Sequence, residues 1–261
     1  MTAPARRGSL TIVGTGIAVA VHTTLDAMTR MRRAERLLYL VTDPTSAAWI
    51  RRVNPAAESL DDAYAEGKPR QQIYKEMTAR ILDAVRSGAD VCAAFYGHPG
   101  VFVNASHAAI RRARREGFPA RMLPGISAED CLFADLGVNP GDAGCQSFEA
   151  TDFLGSRRRF DPTSALILWQ VGVIGESSVR MGRPPRRDRL QVLTHTLSRH
   201  YGMRHRVVLY EAAQFPVCDP VIQRISLARL PATRVMPLTT LYVPPKPSRD
   251  TTRTVTRWPE R

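Results

Sequence analysis

The sequence predicts an α/β protein organised around a mostly parallel sheet, and three observations carry that reading. Short β-prone runs alternate with segments whose apolar residues recur every third or fourth position. Glycine turns punctuate the strand ends at Gly14-Thr15-Gly16, Gly97-His98-Pro99-Gly100 and Pro124-Gly125. The length of 261 residues suits one large domain or two smaller ones, and 44% hydrophobic with 23% charged residues excludes disordered, collagenous and coiled-coil classes.

The elements follow in order. Leu10 to Val13 is a strand, Leu25, Met28 and Met31 mark a helix, and Leu37 to Val41 returns to strand, which makes a βαβ unit. Ala48 to Val53 is a brief helix. Ile73, Met77, Ile81 and Val85 repeat every fourth residue before Gly88, so Gln71 to Ser87 is expected to be an amphipathic helix. Asp90 to Tyr96 is a strand buried on both faces, and Ser106 to Glu116 a helix with arginines over its negative end. Ala120 to Leu123 is a strand, and Ser127 to Asp130 has the Ser-x-x-acid signature of a capping box. Further on come a strand at Ala165 to Val171, a helix from about Arg187 to Tyr201, and strands at Arg206 to Tyr210 and Leu238 to Val243. Gly182 to Arg189 is expected to be an exposed loop. The domains are placed at 1–124, 125–246 and a basic flexible tail at 247–261.

Charge has two readings. Lys plus Arg number 37 against 24 Asp plus Glu, a net +13, and all but Lys68, Lys75 and Lys246 of the cations are arginine. The excess is either a solvated surface habit or a footprint for an anionic partner. Cys92, Cys131, Cys145 and Cys218 have no metal-ligand spacing, and the expectation is scattered buried thiols, no metal and a cytoplasmic location. No run has the roughly 18 apolar residues of a membrane span. Gly14-Thr15-Gly16 interrupts what would otherwise pass for a signal sequence after Arg6-Arg7.

Phosphate-loop, zinc-protease and nucleophile-elbow patterns are absent, and the first glycine turn lacks the third glycine of the dinucleotide fingerprint. Phe95 to Phe102 places a phenol, an imidazole and glycine backbone at the C-terminal end of a buried strand, where α/β sheets bind ligands. The same residues also fit core aromatics and a turn histidine. Met122 to Ala128 and Thr239 to Pro245 reach similar edges.

These segments resemble the S-adenosylmethionine-binding motifs of the tetrapyrrole methylase superfamily, and most closely the borosin peptide backbone α-N-methyltransferases. Ser9 to Ile17, Phe95 to Asn104, Ala120 to Leu136 and Pro244-Pro245-Lys246 carry the resemblance. It implies a two-domain tetrapyrrole-methylase-like fold with the cofactor in the cleft between the domains. It places S-adenosyl-L-methionine, which leaves as S-adenosyl-L-homocysteine, on Tyr96, His98, Val101, Phe102, Ala128, Gln170, Ala212, Thr239 and Thr240. The catalytic residues it implies are Arg70, Tyr74 and Tyr64, with Asp61 where a family tyrosine stands. It also implies a homodimer. Only fifteen residues follow Lys246, so the expected substrate is a separate ribosomally made precursor peptide, as in split systems.

Spacing agrees with the implied pair. Arg70 and Tyr74 are four apart at a helix start, so their side chains share a face. An exposed Arg beside a half-buried Tyr would look the same. An amide nitrogen needs its proton removed before alkylation, and a phenolate next to a guanidinium is a suitable base. The alternatives are a corrinoid, tetrapyrrole or ribosomal RNA ribose methyltransferase of the same superfamily, or a non-enzymatic basic nucleic-acid-binding module. The preferred reading requires neither nucleic acid nor membrane.

Overall fold

The computed structural model describes residues 8–18, 20–180, 182 and 186–247. Within these the chain forms two compact units, each built on a five-stranded sheet.

The first unit takes in residues up to Val138 together with 175–184 and 211–221. Its elements are β1 (Ser9–Gly14), α1 (Leu25–Arg33), β2 (Arg36–Leu40), α2 (Pro44–Val53), β3 (Glu58–Ser59), a 3-10 turn at Asp61–Ala63, α3 (Arg70–Arg86), β4 (Asp90–Phe95), α4 (Asn104–Arg115), β5 (Ala120–Met122) and α5 (Ala128–Leu136). The strands run parallel in the order β3-β2-β4-β1-β5. Both central strands are buried along nearly their whole length because helices cover both faces. The two-residue period of a strand sorts their side chains. Leu10, Ile12, Val91, Ala93 and Phe95 face α3 and α4, where Ile73, Met77, Ile81 and Val85 pack on them. Val13, Cys92 and Ala94 face the other layer, with Met31 of α1 and Ile50 of α2.

The second unit contains α6 (Pro140–Ala143), β6 (Cys145–Glu149), α7 (Ala150–Gly155), β7 (Ala165–Trp169), a 3-10 turn at Val171–Val173, α8 (Arg187–Tyr201), β8 (Arg206–Glu211), β9 (Val221–Ser226), a 3-10 turn at Leu227–Ala232 and β10 (Thr240–Val243). Its order is β6-β7-β10-β8-β9, with β6 parallel to β7 and β10 antiparallel to both β7 and β8. Leu190, Leu193, Leu197 and Tyr201 lay one stripe of α8 over Leu166, Leu168, Leu209 and Leu241.

Four expectations change. The first unit continues past Pro124 and takes in α5, because the Gly125 backbone packs against the ends of β1 and β4. A Cβ on Gly125 would lie 3.0 Å from the Gly97 carbonyl oxygen and 3.1 Å from the Gly14 Cα. Of the loop expected over Gly182 to Arg189, residues 183–185 lie outside the described residues, and from Arg187 onward the chain is already in α8. The thiols are not uniformly buried: Cys92 is, with its pKa pushed up to about 12 by that burial, whereas Cys218 is exposed. The last strand starts at Thr240, not Leu238, because the Met236 N–H donates to Thr239 Oγ1 and closes a turn. The capping box forms as read, with Ser127 and Asp130 bonding reciprocally. The expected tail lies, from residue 248 onward, outside the described residues.

The Gly14 position gives a direct test of this packing. Its Cβ would sit 2.2 Å from the Gly97 carbonyl oxygen, whereas a Cβ on Gly155 meets nothing within 4 Å. Gly14→Ala is expected to cost about 3 kcal/mol in urea denaturation. Gly155→Ala should leave stability equal or higher by up to about 1 kcal/mol.

Candidate active site

Two neighbourhoods of the first unit hold most of the residues that the sequence assigned to chemistry. One lies at the start of α3. Pro69 supplies the helix entry without a side-chain cap, so α3 opens on a positive dipole end. A short antiparallel strap holds that end. The Gly67 N–H donates to the Val179 carbonyl (2.9 Å), the Val179 N–H to the Lys68 carbonyl (3.0 Å) and the Arg70 N–H to the Ser177 carbonyl (3.0 Å). Lys68 braces it from below, donating to the Ala63 carbonyl at 2.8 Å and pairing with Glu76. No sequence signal linked Ser177 to Arg70, since more than a hundred residues separate them.

Arg70, Tyr74 and Tyr64 are brought together. Tyr64 and Tyr74 are half-buried against the α3 core, and Tyr64 feels Tyr74, Arg70 and Asp61 electrostatically. Burial raises the Tyr64 pKa, Tyr74 and Asp61 raise it further, and Arg70 opposes them. Tyr64 is therefore a neutral phenol whose hydroxyl is able to donate. The Arg70 Nε is buried and has no hydrogen-bond partner. A buried guanidinium N–H left unpaired costs a few kcal/mol, so the arrangement lacks an acceptor. Thr78 Oγ1 donates to the Tyr74 carbonyl at 2.7 Å and ties down the backbone that carries the second tyrosine.

The second neighbourhood is the cluster of turns after β1 and β4. Gly97 and Gly16 exchange backbone hydrogen bonds of 3.0 and 3.3 Å. The glycine requirement is met by protein: a Cβ on Gly14 or Gly125 meets the neighbouring turns, and one on Gly16, at φ +72°, meets His22 at 2.2 Å. The glycine pattern thus reports turn packing.

The Gly100 N–H donates to His98 Nδ1 at 2.9 Å, which leaves the proton of a neutral ring on Nε2. Tyr96 follows β4, its hydroxyl bonded to Gln214, and burial raises its pKa well above the usual phenol value. It stays neutral. Phe102 is 42% exposed and holds φ at +56°, a strained geometry for a bulky side chain, so it is no core aromatic. Val101 precedes it, with its N–H donating to the His98 carbonyl at 3.1 Å. Ala128 is the first residue of α5 after the Ser127 cap, and Ala212 follows β8 in the 211–221 segment of the first unit.

Gln170, Thr239 and Thr240 lie together in the second unit. The β7–β10 register pairs Leu168 with Leu241, and the Val171 N–H donates to the Thr239 carbonyl at 3.2 Å just beyond the strand ends. Gln170 is held at φ +59°. Among the described residues four non-glycines have positive φ, and two of them, Phe102 and Gln170, are positions assigned to the cofactor. Such conformations persist only where the surrounding structure over-determines them. The His98 Nε2 donor, the neutral Tyr96 phenol and the exposed Phe102 ring suit the carboxylate and the adenine of S-adenosylmethionine.

A parallel α/β sheet places its ligand crevices outside the C-terminal ends of the strands, where these turns lie. The match to Tetrapyrrole (Corrin/Porphyrin) Methylases runs over residues 9–216, and the chain belongs to that family. Uroporphyrin-III-C-methyltransferase from Thermus thermophilus shares the fold with a TM-score of 0.64 at 20% identity, covering 91% of this chain and 92% of that one. Diphthine synthase aligns with a TM-score of 0.62 at 15% identity, over 91% and 90%. Higher identity is found with a methyltransferase/ribosomally synthesized cyclic peptide gymnopeptides precursor from Gymnopus fusipes, 43% over 254 residues, covering 96% of this chain and 60% of the relative. The omphalotin A precursor methyltransferase of Omphalotus olearius is 43% identical over 92% of this chain and 58% of its own length. A type I borosin cyclic peptide precursor methyltransferase of Coprinopsis marcescibilis is 41% identical, over 94% and 64%. The chain thus spans about three fifths of these curated relatives, whose names join methyltransferase and precursor in one protein.

The electrostatics of the tyrosine cluster can be read directly. Asp61→Asn removes a negative neighbour and is expected to bring the Tyr64 pKa down, while Arg70→Gln removes a cation and should push it further up. Tyrosine ring-carbon NMR followed over pH checks both signs. A Tyr64 titration indifferent to both changes would dissolve the cluster.

Proposed function

We propose that this chain is an S-adenosylmethionine-dependent methyltransferase acting on the backbone amide nitrogens of a peptide. The observation that carries the reading is the buried, unpartnered Arg70 Nε beside Tyr64 and Tyr74 at the positive end of α3. Its support comes from relatives whose printed names pair a methyltransferase with a cyclic peptide precursor.

An amide oxygen is the acceptor that the Arg70 N–H lacks. As the amide nitrogen loses its proton, negative charge builds on that oxygen, and the guanidinium meets it where the charge develops. Tyr74, one helical turn from Arg70, takes the amide proton on its Oη. Tyr64, held neutral, donates to the same anionic system. S-adenosylmethionine supplies an electrophilic methyl carbon on a sulfonium. With that cofactor bound, the deprotonated amide nitrogen would take the methyl carbon as the S–C bond breaks, and Tyr74 would pass the amide proton on to water. His98, Tyr96, Val101, Phe102, Ala128 and Ala212 of the first unit, with Gln170, Thr239 and Thr240 of the second, are assigned to hold the cofactor. Positioning is their contribution.

The test supplies the precursor segment of the Omphalotus olearius relative as a separate peptide, with labelled cofactor. Tandem mass spectrometry is expected to find methyl groups on backbone nitrogens. An unchanged peptide alongside labelled RNA or a methylated tetrapyrrole overturns the reading. Tyr74→Phe should lower the rate by about 100-fold or more with cofactor affinity unchanged by calorimetry. His98→Ala should weaken cofactor binding by about tenfold, and an unaltered affinity removes His98 from the site.

A further inference from the structure

The second unit carries a groove of about 300 Å³ that none of the residues assigned above lines. Arg206 at the start of β8, Arg224 on β9 and Arg229 on the following 3-10 turn line it, with the polar groups of Gln223, Ser226 and Thr233 between them. The sequence concentrates cations here: residues 199–234 hold six arginines against Glu211 and Asp219 alone.

These arginines differ from others in the chain. Arg30, Arg36, Arg80, Arg86 and Arg158 each sit on a carboxylate. Among the described residues, no carboxylate pairs with Arg206, Arg224 or Arg229, and all three are exposed. Three guanidiniums around one groove repel one another, and an anionic ligand relieves that repulsion. The volume exceeds what one small anion fills and lies at the lower bound of built ligand sites. Binding of single-stranded nucleic acid draws on aromatic rings for base stacking, and no aromatic side chain lines this groove. Guanidinium forks match carboxylates two bonds at a time, and the hydroxyls and amide between them suit peptide main chain.

We propose that this groove docks an acidic segment of the peptide acceptor, with Asp and Glu carboxylates held by Arg206, Arg224 and Arg229. The choice of a peptide as occupant rests on the methyl-acceptor reading; the carboxylate chemistry rests on the groove. Exposed pairs of this kind act on encounter rate and salt dependence, so the site delivers and retains the acceptor and takes no part in the methyl transfer itself.

The experiment measures binding by fluorescence anisotropy with a labelled peptide of alternating Glu and Ala, against its Gln and Ala counterpart. The full chain and the triple variant Arg206→Gln, Arg224→Gln, Arg229→Gln are compared, with melting temperatures confirming that both are folded. The Glu peptide is expected to bind the full chain at least tenfold more tightly than the Gln peptide, to lose at least tenfold in the triple variant, and to weaken with salt. Triple replacement by Lys should restore part of the affinity. Equal binding to full chain and variant overturns the proposal, as does preferential binding of single-stranded RNA, or displacement of the peptide by inorganic phosphate at equal concentration. These readouts need no methyl transfer, so a catalytically silent preparation that still binds the Glu peptide would count against the methyltransferase reading and leave the groove standing.

Discussion

The close approach of three turns, at Gly14, Gly97 and Gly125, is the constraint on which the first unit depends. Main chain lies against main chain there, with no room for a side chain on Gly14. The ends of β1, β4 and β5 are thereby brought to one place, and the segments that leave them carry Tyr96, His98, Phe102 and Ala128. A parallel sheet puts its C-terminal strand ends on one edge in any case. The glycine contact fixes how near they come.

The same contact shows what a sequence pattern does and does not say. Glycines at strand ends are read with equal ease as a cradle for a cofactor or as a turn, and here a side chain on Gly14 or Gly125 would run into the backbone of a neighbouring turn. The strained φ of Phe102 and Gln170 is the more discriminating sign, and no sequence rule flags it, because neither residue type favours that conformation.

Much of the fold was legible because its signals are local. Four-residue spacing located α3, the Ser-x-x-Asp signature located the start of α5, and the continuous apolar runs located β1, β4 and β7. What escaped were elements without such signals. β6 reads Cys-Gln-Ser-Phe-Glu, an edge strand whose residues are only partly buried, and β9 is the polar edge strand at the opposite side of the same sheet. Arg70 and Tyr74 could be paired from spacing, but Tyr64 came only from resemblance, and the strap at Ser177 to Val179 from neither. Contacts that join distant stretches of chain leave no trace in a local window.

That strap bears on how the molecule is made. The N-terminal end of α3 completes its backbone pairing with residues from the other side of β7, and the first unit also claims 211–221. A nascent chain that has reached Val138 holds all of the parallel sheet, yet the Arg70 N–H and the Lys68 carbonyl still lack their partners. Synthesis of the intervening stretch to Val179 takes roughly 2–8 s at ordinary elongation rates. The sheet can assemble early on the ribosome, whereas the start of α3 waits for chain emerging later, so this corner closes only after the sheet it packs on.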